Sequence, residues 1–101
     1  MSEQFNQLTP SEHERLAIVM EEMSEVCQVI GKILRHGYDD HSPSDKTRTT
    51  NRENLEKELG HVAYAVEQLI RHKDIAEYLV ESSKQSKRSS AWQWLHHSEV
   101  L

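Results

Sequence analysis

Apolar residues recur at three- and four-residue steps in two stretches of the chain. The first comprises Leu16, Val19, Met20, Met23, Val26, Cys27, Ile30, Ile33 and Leu34; the second comprises Leu55, Leu59, Val62, Ala63, Val66, Leu69 and Ile70. This is the period of an amphipathic helix, and no stretch alternates with the period of two that a strand requires. Start signals agree. Thr9-Pro10-Ser11-Glu12, Thr50-Asn51-Arg52-Glu53 and Asp74-Ile75-Ala76-Glu77 each set a capping side chain three residues before a Glu, so that cap and Glu satisfy each other's free amides. Pro10 suits a first helical position, and Gly37 suits the residue after a helix end. The pattern predicts a helix from Pro10 to Arg35, a polar loop from Tyr38 to Thr49 and a helix from Asn51 to His72. A third helix starts near Ile75 and runs toward His97, with a break within Ser82–Ser90. The expected architecture is an all-α domain of three to four helices, the two long ones packed through their apolar stripes. Their apolar surface exceeds what three helices bury among themselves, so a homodimer or homotetramer is expected to complete the bundle.

Composition narrows the class. A chain of 101 residues makes one domain, with a core over about 10–88 and a helical tail over 89–101. A net charge of -5 argues against a nucleic-acid clamp or a membrane-surface protein, both of which need a basic excess. The longest apolar runs are too short to span a bilayer, and the N-terminus lacks a signal-peptide pattern. The single cysteine, Cys27, rules out an internal disulfide, fits a cytoplasmic setting and is read as a core residue.

Two acidic clusters stand out against this background. At about 100° per residue, Glu22 falls at the edge of the first apolar face, centred near Met23, Cys27 and Ile30, and Glu25 lies about 60° further on. Ile18 and Val29 bracket them along the same line. Glu58 and His61 repeat the arrangement on the second helix, bracketed by Asn54 and Ala65. The small residues Ser24 and Gly60 hold matching places in the two clusters, where a facing helix can come close. Pairing the two helices through these faces would bring Glu22, Glu25, Glu58 and His61 to one point. Half-buried carboxylates repel one another and resist desolvation unless a cation joins them. Three carboxylates and an imidazole suit Mg²⁺ or Mn²⁺. The bland alternative is that acidic pairs three residues apart are ordinary solvated surface.

These residues resemble the MazG-like, all-α nucleoside triphosphate pyrophosphohydrolases, a superfamily that includes dimeric dUTPases and phosphoribosyl-ATP pyrophosphohydrolases. Glu21-Glu22-Met23-Ser24-Glu25 is similar to the first half of the family signature. Glu58-Leu59-Gly60-His61-Val62 is similar to the second half, with His61 where the family has aspartate. The segment from Asp74 to Arg88 resembles the family's third helix with its basic end, and the likeness spans about residues 12 to 88. It implies metal-dependent hydrolysis of a (deoxy)nucleoside triphosphate to the monophosphate and pyrophosphate, with Mg²⁺ held by Glu22, Glu25, Glu58 and His61. Glu22 or Glu25 would act as general base, and Lys32, Arg35, Lys84, Lys87 and Arg88 are the candidates for the triphosphate tail; each lysine alone is also an ordinary solubilising charge. The imidazole removes one negative charge and weakens the case for Mg²⁺ relative to Mn²⁺.

Two other readings fit parts of the pattern. Glu58-x-x-His61 has the spacing used in carboxylate-bridged di-iron bundles, although such sites need two such motifs and one chain carries one. A catalytically weak nucleotide-binding or helical adaptor protein would leave the acidic faces as plain surface. Trp92 and Trp94 point to packing in the core or at a homo-oligomer interface.

Overall fold

The structure, a computed structural model, describes residues 5–97. Three α-helices and a short 3₁₀ turn follow one another: α1 (Pro10–His36), α2 (Asn51–Arg71), α3 (Glu77–Ser90) and the turn Ala91–Trp94. No strand occurs among the described residues; the single β-bridge, His41 to Thr50, closes the loop between α1 and α2. Residues 98–101 of the predicted tail lie outside the described residues.

The caps of the two long helices form as their sequences dictate. The Thr9 side chain accepts from the Glu12 amide at 3.1 Å while Glu12 accepts from the Thr9 amide at 2.8 Å. Thr50 and Glu53 repeat the exchange at 3.1 and 2.9 Å. Gly37 ends α1 at φ 89°, a left-handed value that costs glycine nothing, and its amide donates to the Ile33 carbonyl at 2.7 Å.

The third cap does not form. Asp74 is taken by a tertiary partner: Arg15 donates to its two carboxylate oxygens at 2.7 and 2.9 Å. This fork-like pair holds Asp74 below the usual carboxylate range and is largely shielded from solvent. With Asp74 engaged, α3 begins only at Glu77, and Ala76 supplies no side-chain cap. The expected break within Ser82–Ser90 is also absent, because α3 is continuous to Ser90.

Helices α1 and α2 form an antiparallel hairpin, tied at one end by Arg15 to Asp74 and at the other by Asn51. The Asn51 side chain donates to the Gly37 carbonyl at 3.0 Å, and its amide donates to the Asp40 carbonyl at 2.9 Å. The hairpin contact corrects the expected packing. It runs along the line of Val19, Glu22 and Val26 on α1 and of Asn51, Glu58, Ala65 and Leu69 on α2. Only Val19, Ala65 and Leu69 are buried apolar residues among those described. The predicted centre of the α1 face, Met23, Cys27 and Ile30, stays exposed, so Cys27 is not a core residue. The apolar residues of α1 cover too wide an arc for one neighbour, and α2 takes the edge that carries the acidic pair.

Helix α3 buries no residue and makes next to no packing contact with the hairpin. Trp92 and Trp94 are likewise exposed. The radius of gyration is 17.4 Å, whereas a compact chain of this length reaches about 13 Å.

Since so little apolar surface is buried, each buried residue carries a large share of the hairpin's stability. Leu69→Ala is expected to cost about 2–4 kcal/mol in urea unfolding followed by circular dichroism.

Candidate metal centre

The hairpin contact brings Glu22, Glu25, Glu58 and His61 together. One ligand atom from each lies within 4.8 Å of all the others. The two Glu-x-x pairs meet because Glu22 and Glu58 sit on the contact line and Glu25 and His61 lie to one side of it. The sequence-derived tetrad is thus assembled by two helices with no loop involved, the more rigid way to place ligands.

Burial and charge set the chemistry. Glu58 is 8% exposed, Glu22 and Glu25 are half-buried, and His61 is exposed at the mouth. His61 Nδ1 lies 3.4 Å from Glu22 Oε2 and 3.5 Å from Glu58 Oε2. Both of these oxygens are buried, and neither accepts a hydrogen bond. Buried carboxylate oxygens without partners cost free energy unless a cation or proton meets them. The Glu25 and Glu58 carboxyls lie side by side in this cluster. Hydrogen bonding to Glu58, with the repulsion of Glu58 and Glu22, pushes the Glu25 carboxyl up from its ordinary value. Glu58 is held down by the same hydrogen bond, with help from His61 and Lys57. Charge crowding of this kind is relieved by a divalent ion, and a set of three carboxylates and one imidazole fits Mn²⁺ or Mg²⁺ in donor type.

A cleft leads away from the cluster. Its first part, about 260 Å³, is lined by Glu25, Gln28, Val29, Lys32, Asn54 and Glu58. Lys32 and Asn54 also line the adjoining hollow of about 360 Å³, with Arg35, His36, His41 and Asn51 among its walls. Lys32 therefore lines the same cleft as Glu25 and Glu58, whereas Arg35 lines only the adjoining hollow. Lys84, Lys87 and Arg88 lie on α3 and line neither part of this cleft. Asn54, His36, His41 and Asn51 were not picked out as lining residues. Asn54 carried a signal in the sequence, one turn before Glu58 on the same line, whereas His41 reaches the hollow only through the fold of the loop.

Compared with models of known families, with curated proteins and with solved structures, the chain gives no match.

The raised Glu25 carboxyl has a consequence for stability. Because the Glu25 pKa is raised on folding, its contribution is full at low pH and is lost as pH rises through the shifted value. The metal-free chain is expected to lose this part of its stability as pH rises above the ordinary carboxylate value of 4.5 and through the raised Glu25 value. Saturating Mn²⁺ should reverse the trend, since the ion binds the ionised carboxylates. Differential scanning fluorimetry over this range, with and without Mn²⁺, checks both arms.

Proposed function

We propose that this chain is a divalent-metal-dependent nucleoside triphosphate pyrophosphohydrolase of the MazG-like kind. The observation that carries the reading is the convergence of Glu22, Glu25, Glu58 and His61 on one point, with two buried carboxylate oxygens left unpaired. The cleft beside it, walled by Lys32 and Arg35, supports a polyanionic substrate.

In this reading Glu22, Glu58 and His61 hold the ion, and Glu25 both binds it and faces the cleft. When bound, Mg²⁺ or Mn²⁺ would neutralise phosphate charge and polarise the bridge between the α- and β-phosphates. Lys32 and Arg35 hold the triphosphate tail by charge-assisted hydrogen bonds. Glu25 accepts a proton from the attacking water as its oxygen bonds to phosphorus and the α–β bridge breaks, releasing monophosphate and pyrophosphate. Asn54, next to Lys32 in the wall, offers an amide to the substrate's polar edge. The hollow by His41 and Asn51 takes the nucleoside end. Lys84, Lys87 and Arg88 act in this scheme only if brought to the cleft by assembly into a homodimer or homotetramer. Neither nucleic acid nor a membrane is a partner in this reading, and a cytoplasmic location suits it; no helix of the described residues is long and apolar enough to cross a membrane.

Incubation with a panel of NTPs and dNTPs and either Mg²⁺ or Mn²⁺ should release pyrophosphate. Glu25→Gln is expected to lower turnover by about 10²–10⁴-fold, the usual worth of a general base, and Glu22→Gln should abolish metal-dependent turnover. Absence of pyrophosphate with every nucleotide, combined with iron-dependent absorbance of the purified protein, would replace this reading by the di-iron one. His61→Asp restores a fourth carboxylate and should lower the Mg²⁺ concentration needed for half-maximal rate relative to Mn²⁺. An unchanged Mg²⁺-to-Mn²⁺ preference would remove His61 from the ligand set.

A further inference from the structure

Lys57 and Glu58 are neighbours in the chain, and neighbouring side chains on a helix leave it about 100° apart and do not face each other. The Lys57 ammonium nevertheless lies 3.6 Å from Glu58 Oε1. Its stem therefore turns back along α2 toward the carboxylates. No other lysine or arginine among the described residues pairs with a carboxylate of the tetrad. The two oxygens of Glu58 are thus divided. Oε1 meets Lys57 on the outside, while Oε2 is buried without a hydrogen bond, 3.5 Å from His61 Nδ1.

Lys57 also stands where the cleft opens. Counted around α2, it lies on the His61 side of Glu58, about 40° beyond His61. Asn54, one turn before Glu58 on that same side, lines the cleft together with Glu58. The opposite wall belongs to α1 and carries Glu25, Gln28 and Lys32. Lys32 and Lys57 thus approach one cleft from different helices. At the rim the Lys57 side chain is 59% exposed, so little packing fixes it in one place. An exposed pair of this kind is weak and is given up readily to a better partner. A divalent cation at the tetrad and the Lys57 ammonium would also compete, since both are drawn to Glu58 and they repel each other. Once Glu58 is taken, the ammonium is left at the mouth of the cleft in need of an anion.

We propose that Lys57 is a phosphate ligand that changes partners: it rests on Glu58 Oε1 while the cleft is empty and donates to the phosphate nearest the tetrad when substrate enters. The proposal rests on the reading of tetrad and cleft as a site for metal and polyphosphate. Lys32 and Arg35 keep the tail from the α1 side, and Lys57 meets the phosphate beside the carboxylates from the α2 side. The three hydrogens of an ammonium on a flexible stem suit such a transfer better than a rigid guanidinium would. The exchange has a signature in opposite signs. Removing the cation frees the tetrad of a competitor for metal and deprives the phosphate of a ligand. A lysine that only solubilises the surface does neither.

The test compares the full-length wild type with Lys57→Gln, Lys57→Arg and Lys73→Gln. The last makes the same change in net charge just past the far end of α2. Because Lys57 is exposed, its variants are expected to keep the wild-type circular dichroism. Calorimetric titration with Mn²⁺ alone should show Lys57→Gln binding the ion about threefold more tightly. Titration with the Mn²⁺ complex of inorganic tripolyphosphate should show it binding about tenfold more weakly. KM for the best nucleotide should rise by a similar factor, with a smaller change in kcat. Lys57→Arg should return both binding constants toward the wild-type values. Unchanged constants, shifts of both in one direction, or equal shifts in Lys73→Gln would overturn the proposal. Lys57-dependent binding of tripolyphosphate by a chain that releases no pyrophosphate would end the hydrolase reading and support this one. Pyrophosphate release with both constants untouched by Lys57→Gln would do the reverse. A wild type that binds neither Mn²⁺ nor its tripolyphosphate complex would overturn both.

Discussion

Three carboxylates crowd the contact between α1 and α2, and the rest of the structure is arranged around that crowding. Glu22 and Glu58 occupy places on the contact line where a simple hairpin would carry leucines. Their crowding pushes the Glu25 carboxyl up from its ordinary value, and His61 stands near Oε2 of both Glu22 and Glu58. The apolar part of the contact is reduced to Val19, Ala65 and Leu69 on one flank of the charges. A hairpin made this way has little packing energy of its own. Its ends are accordingly tied by polar devices: the Arg15–Asp74 fork at one, and the Asn51 bonds to Gly37 and Asp40 at the other.

Much of this was readable from the residues alone. The capping boxes at Thr9 and Thr50 act within four residues, so local sequence determines them, and both formed. The tetrad was readable because two helices repeat one spacing at one angle, a relation that survives any reasonable packing of the pair. The face used by α1 was not readable. Apolar residues cover so much of its circumference that periodicity defines a helix without ranking its neighbours, and the acidic edge took α2 while Met23, Cys27 and Ile30 stayed exposed. The start of α3 was hidden for a different reason. Asp74 has the local chemistry of a cap, but Arg15, 59 residues away in sequence, offers it a stronger partner. Long-range pairing overrode a local rule, and the helix began later.

The cleft joins these themes to function. Its carboxylate end is set by helix positions and its far end by the loop from Tyr38 to Thr49, where Asp45 accepts from the Thr47 and Thr49 amides and His41 bridges to Thr50. The part that would hold an ion is therefore rigid and legible, while the part that would choose among substrates depends on how a polar loop settles. Lys32 and Asn54, shared by both parts, link the two.

Helix α1 carries the acidic pair on one side and an exposed apolar face on the other, with Glu22 and Met23 adjacent in the chain. The middle turns of this helix thus meet two different demands, charge toward α2 and apolar area away from it. Helix α3, which buries nothing, has no such double duty among the described residues. Over evolutionary time the two helices should change at very different rates, with α1 keeping the record of ancestry long after α3 has lost it.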